Sequence, residues 1–264
     1  MRSIAAIPYA GGHVGIMRLF EDDPISRPLT YPGRIPATSG VLFDDTYIPL
    51  RPVDNSPPDE WRAAGGTLKA LLARGGFPPL EERHVVVAVG SNAAPSQLLR
   101  KFLDHEVRPV VPMTLADVRD VAPGVSAHVS RWGYVPAAPI ETPGETSRLF
   151  ALWLDEQQLA ALDLTEPNYH RRPLRHPITL ESGVRRPPAF AYMGRHGCLA
   201  GRDGRPRRLT PQRALIQDLL DGSAELRRLC GDTPDDFAGN VQDDVVREAV
   251  YRLLQNGHRA RGQG

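Results

Sequence analysis

The twenty residues from His84 to Leu103 constrain this chain more than any other stretch. They begin with Val85-Val86-Val87-Ala88-Val89, an unbroken apolar run rich in β-branched side chains. Such a run predicts a strand buried on both faces rather than one with a wet face. Gly90-Ser91-Asn92 stops it. Pro95 then suits the first turn of a helix, where its missing N–H would have no partner. Leu98, Leu99, Phe102 and Leu103 follow at helical spacing. A strand, glycine turn and helix in succession aim backbone N–H groups and a helix N-terminus at one point. That point suits an anion or a developing oxyanion. The same three residues also read as a plain turn. Ser91 lacks the Gly-x-Ser-x-Gly elbow of a nucleophile, so a hydrogen-bonding role in the turn is expected of it.

The 264 residues allow one large domain or a core with extensions. The net charge of +1 gives no global field that selects nucleic acid or a membrane. Of the 32 Lys and Arg, only Lys69 and Lys101 are Lys, which reads as compositional bias. Cys198 and Cys230 form neither a disulfide framework nor a zinc spacing, so a reduced compartment is expected. Residues 1–12 show no basic leader, and no apolar run reaches the roughly 18 residues of a membrane span. A cytoplasmic protein without membrane contact is expected.

Three regions follow from the punctuation. Residues 1–79 are rich in Pro and Gly and predict an extended arm plus a helix. Within it, 40–43 and 47–50 flank Asp44-Asp45 like a hairpin. Asp59 to Arg74 predicts a helix capped by Asp59 and weakened by Gly65-Gly66. Residues 80–208 predict a mixed core. Val107 to Val125 holds apolar pieces among turn formers, and residues 139–144 are turn-rich. Arg148 to Leu154 reads as a strand. Asp155 with Gln158 completes a capping box before a helix ending near Asp163, with Leu159 and Leu162 facing inward. Ile178–Leu180 and Ala189–Met193 read as the last strands. Residues 209–264 predict a helical extension, with Thr210 capping a helix that begins at Pro211. A final helix covers about Asp243 to Gln255, and the tail from Arg259 frays.

Glu166 is the carboxylate that stands out. Pro167 disfavours a helical conformation at Glu166, so it sits where helix gives way to extended chain. Flanked by Leu164, Pro167 and Tyr169, it is expected to be partly desolvated, which raises a carboxylate pKa and makes a better base near neutral pH. The alternative is an ion pair with Arg171, Arg172 or Arg175.

Order adds a further signal. Val89-Gly90-Ser91-Asn92 follows the strand, then come Trp132-Gly133-Tyr134, the strand Leu149-Phe150-Ala151-Leu152-Trp153-Leu154, and Leu162-Asp163-x-x-Glu166-x-x-Tyr169-x-Arg171. In this order and spacing, residues 84–200 resemble the γ-glutamylcyclotransferase-like superfamily. The resemblance implies an α+β fold: a small mixed β-barrel with flanking helices, here with the N-terminal arm and C-terminal helices added. It implies a reaction in which the substrate's α-amine attacks its own γ-carbonyl, releasing 5-oxoproline and an amine. It assigns Glu166 the acid–base role and places Val89, Gly90, Ser91, Asn92 and Tyr169 around a small-molecule γ-glutamyl substrate. It calls for no metal and no other cofactor. The chain departs from the pattern at Val89, where the family carries Tyr, and at Pro167, where several members carry Gly.

Other features read blandly. Residues 171–213 carry eleven Arg against Glu181 and Asp203, while 217–250 carry nine acids against three Arg, and the two stretches are expected to compensate or face solvent. Aromatics are sparse in the basic stretch, so base stacking on nucleic acid has little support. His13 reads as a turn residue, and His170 and His176 lack metal-ligand spacing. The leading expectation is an enzyme cleaving a γ-glutamyl amide. The alternatives are a non-catalytic binding or scaffold protein on the same fold, and a related amide hydrolase or acyl transferase.

Overall fold

The computed structural model describes residues 18–201 and 203–257. His13 and the tail from Arg259 lie outside these residues.

The expected central strand forms as β5 (His84–Ala88), flanked on one side by an antiparallel β7 (Ala137–Leu154) and on the other by a parallel β11 (Phe190–Gly194). Its side chains alternate between two apolar clusters. Val87 joins Trp61, Leu68, Leu72 and Trp153 on one face, while Val86 and Ala88 join Leu98, Phe102, Phe150 and Leu162 on the other. Both faces are therefore dry, as an unbroken apolar run demands. The first face is covered by α1 (Leu68–Gly75). The second is covered by α2 (Pro95–Asp104) and α3 (Glu156–Leu164). Asp155 and Gln158 make the predicted capping box at the start of α3. Gln158 is buried and also donates to the Arg108 and Val110 carbonyls at 3.1 and 3.0 Å.

The architecture is mixed α+β with flanking helices, as expected, but the sheet is open rather than a closed barrel. With β6 (Val110–Val125), β8 (Tyr169–Pro173), β9 (Ile178–Leu180) and β10 (Arg185–Arg186), the strand order is β10-β9-β6-β7-β5-β11-β8. The predicted hairpin forms as β1 (Gly40–Phe43) and β2 (Thr46–Pro49). Strand β1 pairs with 110–113 of β6, and β9 pairs with 116–117 along the same edge. The sheet branches there, and among the described residues β10 and β8 stay separate ends.

Two segments differ from their sequence reading. Residues 59–74 are not one helix. Arg62–Ala63 (β3) and Gly66–Thr67 (β4) form a two-stranded ribbon, and Thr67, not Asp59, caps α1 by accepting the Ala70 N–H at 3.2 Å. Gly65, at φ +75, makes the turn, a conformation that glycine adopts without strain. Residues 110–125 and 139–144 lie in one long hairpin, β6–β7. The turn formers Thr142-Pro143-Gly144-Glu145 bulge out opposite Asp120, whose Oδ1 accepts the Gly144 N–H at 2.7 Å. Pro123 faces Pro139 in the ladder. Neither has an N–H, so this must be a non-hydrogen-bonded pair, where a missing donor does no harm.

The tip of that hairpin carries the C-terminal helices α4 (Gln212–Gly222), α5 (Ala224–Cys230), α6 (Pro234–Asn240) and α7 (Asp244–Gly257). Helix α4 starts one residue later than read, because Pro211 is still extended at ψ 136. Val125, Ala127, Val129 and Val135 pack with Leu215, Leu219, Phe237 and Val250. A Cβ on Gly133 would lie 2.3 Å from the Ala238 carbonyl oxygen, so only glycine lets the tip meet α6 this closely. The basic and acidic stretches compensate in part, through Arg207 with Asp218 and Arg213 with Asp235. No described helix is long and apolar enough to cross a membrane.

Candidate functional site

Strand β5 ends at Ala88, and Val89-Gly90 turns the chain into a short 3-10 turn, Ser91–Ala93. A Cβ on Gly90 would lie 2.6 Å from the Tyr31 phenolic oxygen and 2.9 Å from the Ala137 Cβ. Glycine is thus needed for close approach, not for an unusual φ. Across the sheet end, α3 stops at Leu164 and Thr165 caps it. Glu166 follows, and its carbonyl accepts the Tyr169 N–H at 3.0 Å as β8 begins.

This geometry joins the two motifs. Asn92 donates from Nδ2 to Glu166 Oε1 at 2.9 Å. Lys101, on the buried face of α2, donates from Nζ to the same oxygen at 2.5 Å and to Asn92 Oδ1 at 2.7 Å. The three side chains close a ring of hydrogen bonds that fixes the Asn92 amide and holds the carboxylate still. The side chains of Lys101 and Glu166 are 9 % and 11 % exposed. The expected desolvation of Glu166 is therefore present, but so is a counter-charge, and it is not one of the arginines considered. Arg171 pairs with Asp163 and Arg175 with Glu141. Asp163 also accepts the Tyr192 hydroxyl at 2.7 Å, so the Leu-Asp-x-x-Glu segment is tied to β8 and β11.

Three phenols surround the ring. Tyr169 donates its O–H to the Ala137 carbonyl at 2.7 Å, and Tyr31 accepts the Ala137 N–H at 2.8 Å. Tyr31 stacks on Tyr134 with ring centroids 4.4 Å apart. Burial pushes all three phenols up from their ordinary range, and the Glu166 charge adds to the shift. They stay protonated and remain donors.

Two spaces share Glu166, Ser91, Tyr31 and Tyr169 in their linings. The narrow one, of about 40 Å³, is lined by all six residues singled out from sequence: Val89, Gly90, Ser91, Asn92, Glu166 and Tyr169. The wide one, of about 980 Å³, reaches from Glu166 to Arg100, Arg131, Trp132 and, on α7, Arg247 and Tyr251. His128 borders it, buried, with Nδ1 2.7 Å from Ser126 Oγ. Burial, then the neighbouring His196, pulls the His128 imidazole down to about 3, so it is neutral at physiological pH.

Sequence reasoning missed Lys101, Tyr31 and Tyr134. Lys101 had a usable signal: it is one of two Lys in an Arg-rich chain and lies three residues after Leu98, on the apolar face of its helix. Tyr31 had none, since it reaches Ala137 across 106 residues. Among the described residues no cluster of three or more His, Cys, Asp or Glu is placed to hold a metal ion.

No family model matches the chain, and no curated protein does. Several solved structures are similar to it. One, named gamma-glutamyl cyclotransferase, is 14% identical and covers 67% of this chain and 100% of its own, with a TM-score of 0.35. An uncharacterized Homo sapiens protein is 18% identical over 43% of this chain and 67% of its own, with a TM-score of 0.34. An Arabidopsis thaliana protein solved in solution is 14% identical over 56% of this chain and 89% of its own, with a TM-score of 0.35. At this distance no residue's role is carried over from them.

Proposed function

We propose that this protein is a γ-glutamyl cyclotransferase-type enzyme that cleaves the γ-glutamyl amide of a small molecule and releases 5-oxoproline. The observation that carries the reading is the Glu166 carboxylate, bonded through Asn92 to the Gly90–Asn92 turn and facing an open cavity. In the reaction the substrate's neutral α-amine attacks its γ-carbonyl carbon. The attacking nitrogen sheds a proton and the leaving nitrogen gains one. A single carboxylate within reach of both nitrogens can carry that proton, and in this reading Glu166 does so. Its hydrogen bonds to Asn92 and Lys101 both use Oε1, so Oε2 is the oxygen assigned to proton transfer. The narrow space suits the reacting end of the substrate. The wide space, at the upper end of the roughly 300–1,000 Å³ range of ligand pockets, suits a large polar leaving amine.

The native protein is to be incubated with γ-glutamyl amino acids, peptides and amines, and 5-oxoproline followed by mass spectrometry. Release, greatest with the larger polar amines, supports the reading. One observation favours a second reading, a binding protein that keeps the pocket: the Lys101 ammonium already occupies the carboxylate at 2.5 Å. Saturable binding of panel members without any release would favour that reading over the first.

A further inference from the structure

Tyr31 precedes the whole sheet in the chain, yet it lines both spaces. Its oxygen accepts the Ala137 N–H at 2.8 Å. A phenol oxygen that accepts an N–H donor still holds its own hydrogen to give. The other buried phenols in the sheet spend theirs: Tyr47 on the Thr38 carbonyl, Tyr169 on the Ala137 carbonyl and Tyr192 on Asp163. Among the described residues, no hydrogen bond uses the Tyr31 O–H as donor. Stacking on Tyr134 fixes the ring plane, and the absence of a Cβ at Gly90 lets the oxygen touch the turn. Glu166 lines the same narrow space. A fixed, buried donor that lines the same space as a carboxylate base suits an oxyanion site.

We propose that Tyr31 is a catalytic residue that donates its phenolic hydrogen to the γ-carbonyl oxygen of the substrate. This rests on the cyclotransferase reading. As the α-amine nitrogen bonds to the γ-carbon, the carbonyl π pair moves onto oxygen and the Tyr31 hydrogen bond strengthens. The pair then returns, the bond from carbon to the leaving nitrogen breaks, and Glu166 returns the proton to that nitrogen. Nothing is oxidised or reduced, and Tyr31 keeps its proton throughout.

The test compares native protein with Tyr31→Phe for 5-oxoproline release, with folding checked by circular dichroism. The phenylalanine ring keeps the stack on Tyr134. The expected result is a fall in kcat of about 100-fold, with KM changed by less than about threefold. An unchanged kcat, with only a lower Tm, makes Tyr31 structural and overturns the proposal. A raised KM at constant kcat assigns the phenol to ground-state binding and also overturns it. No release by native protein from any substrate overturns the cyclotransferase reading itself, and this proposal with it. Should Tyr31→Phe fail to fold, 3,5-difluorotyrosine at position 31 preserves shape and acceptor while lowering the phenol pKa. The alkaline limb of kcat must then shift to lower pH, and an unmoved limb overturns the proposal.

Discussion

Lys101→Met isolates the ion pair at the heart of the site. Met matches the length of the Lys stem and fits the apolar face of α2, so the change removes an ammonium and little packing. The ammonium gives hydrogen bonds of 2.5 Å to Glu166 and 2.7 Å to Asn92. Both charged side chains are about nine-tenths covered, so water screens them far less than at a surface. Breaking a buried pair by removing one partner costs about 3–5 kcal/mol. The cavity beside Glu166 admits some water, which puts the expected cost near the lower bound, about 3 kcal/mol. For a chain of this size that is a Tm loss of about 6–12 °C. Glu166→Gln keeps an acceptor for Lys101 and Asn92 and is expected to cost about 1–2 kcal/mol. The double variant has no orphan charge, so its cost should fall short of the sum by about 2 kcal/mol. Urea unfolding of the four proteins at pH 7 reads these values. A Lys101→Met cost below about 0.5 kcal/mol, within the range of ordinary surface changes, would refute the reasoning, as would strict additivity.

His128 makes stability depend on pH. It titrates near 3 when folded against an ordinary 6.5, so between those values the unfolded chain binds a proton that the folded chain refuses. Stability should fall as pH drops through that window, by up to about 1.4 kcal/mol per unit, and His128→Asn should flatten that part of the urea-midpoint profile. Gly90→Ala pushes a methyl group toward the Tyr31 oxygen and Ala137, and should cost about 1–3 kcal/mol by urea unfolding. A neutral effect would mean that the turn has room it does not show.

Local signals served the sequence reading well wherever neighbours in the chain set the structure. The run from Val85, the Gly90 turn and Pro95 at the start of α2 were legible because each acts within a few residues. So was the Asp155–Gln158 capping box. The β6–β7 hairpin was obscured because Pro123, Pro139, Pro143 and Gly144 look like breaks in one dimension. They are absorbed in three by a non-hydrogen-bonded pair and a bulge. The helix read over 59–74 failed because Gly65 could make a turn as readily as weaken a helix. In the site, the six residues chosen from sequence line one small space, yet the partner of Glu166 was misjudged. Nearby arginines were the natural guess, but Arg171 is taken by Asp163, and Lys101 arrives from a helix 65 residues earlier. Tyr31 required knowledge of how residues before the sheet fold back onto its end.

The most direct test of the account is the rate of 5-oxoproline release by native protein and by Glu166→Gln from the best γ-glutamyl amide, with substrate binding measured by calorimetry on both. The account predicts release by the native protein, and a kcat at least about 100-fold lower in Glu166→Gln with binding preserved, since the amide cannot carry the proton. Equal rates from the two proteins would contradict the assignment of Glu166, and the absence of release from the native protein would contradict the cyclotransferase reading itself.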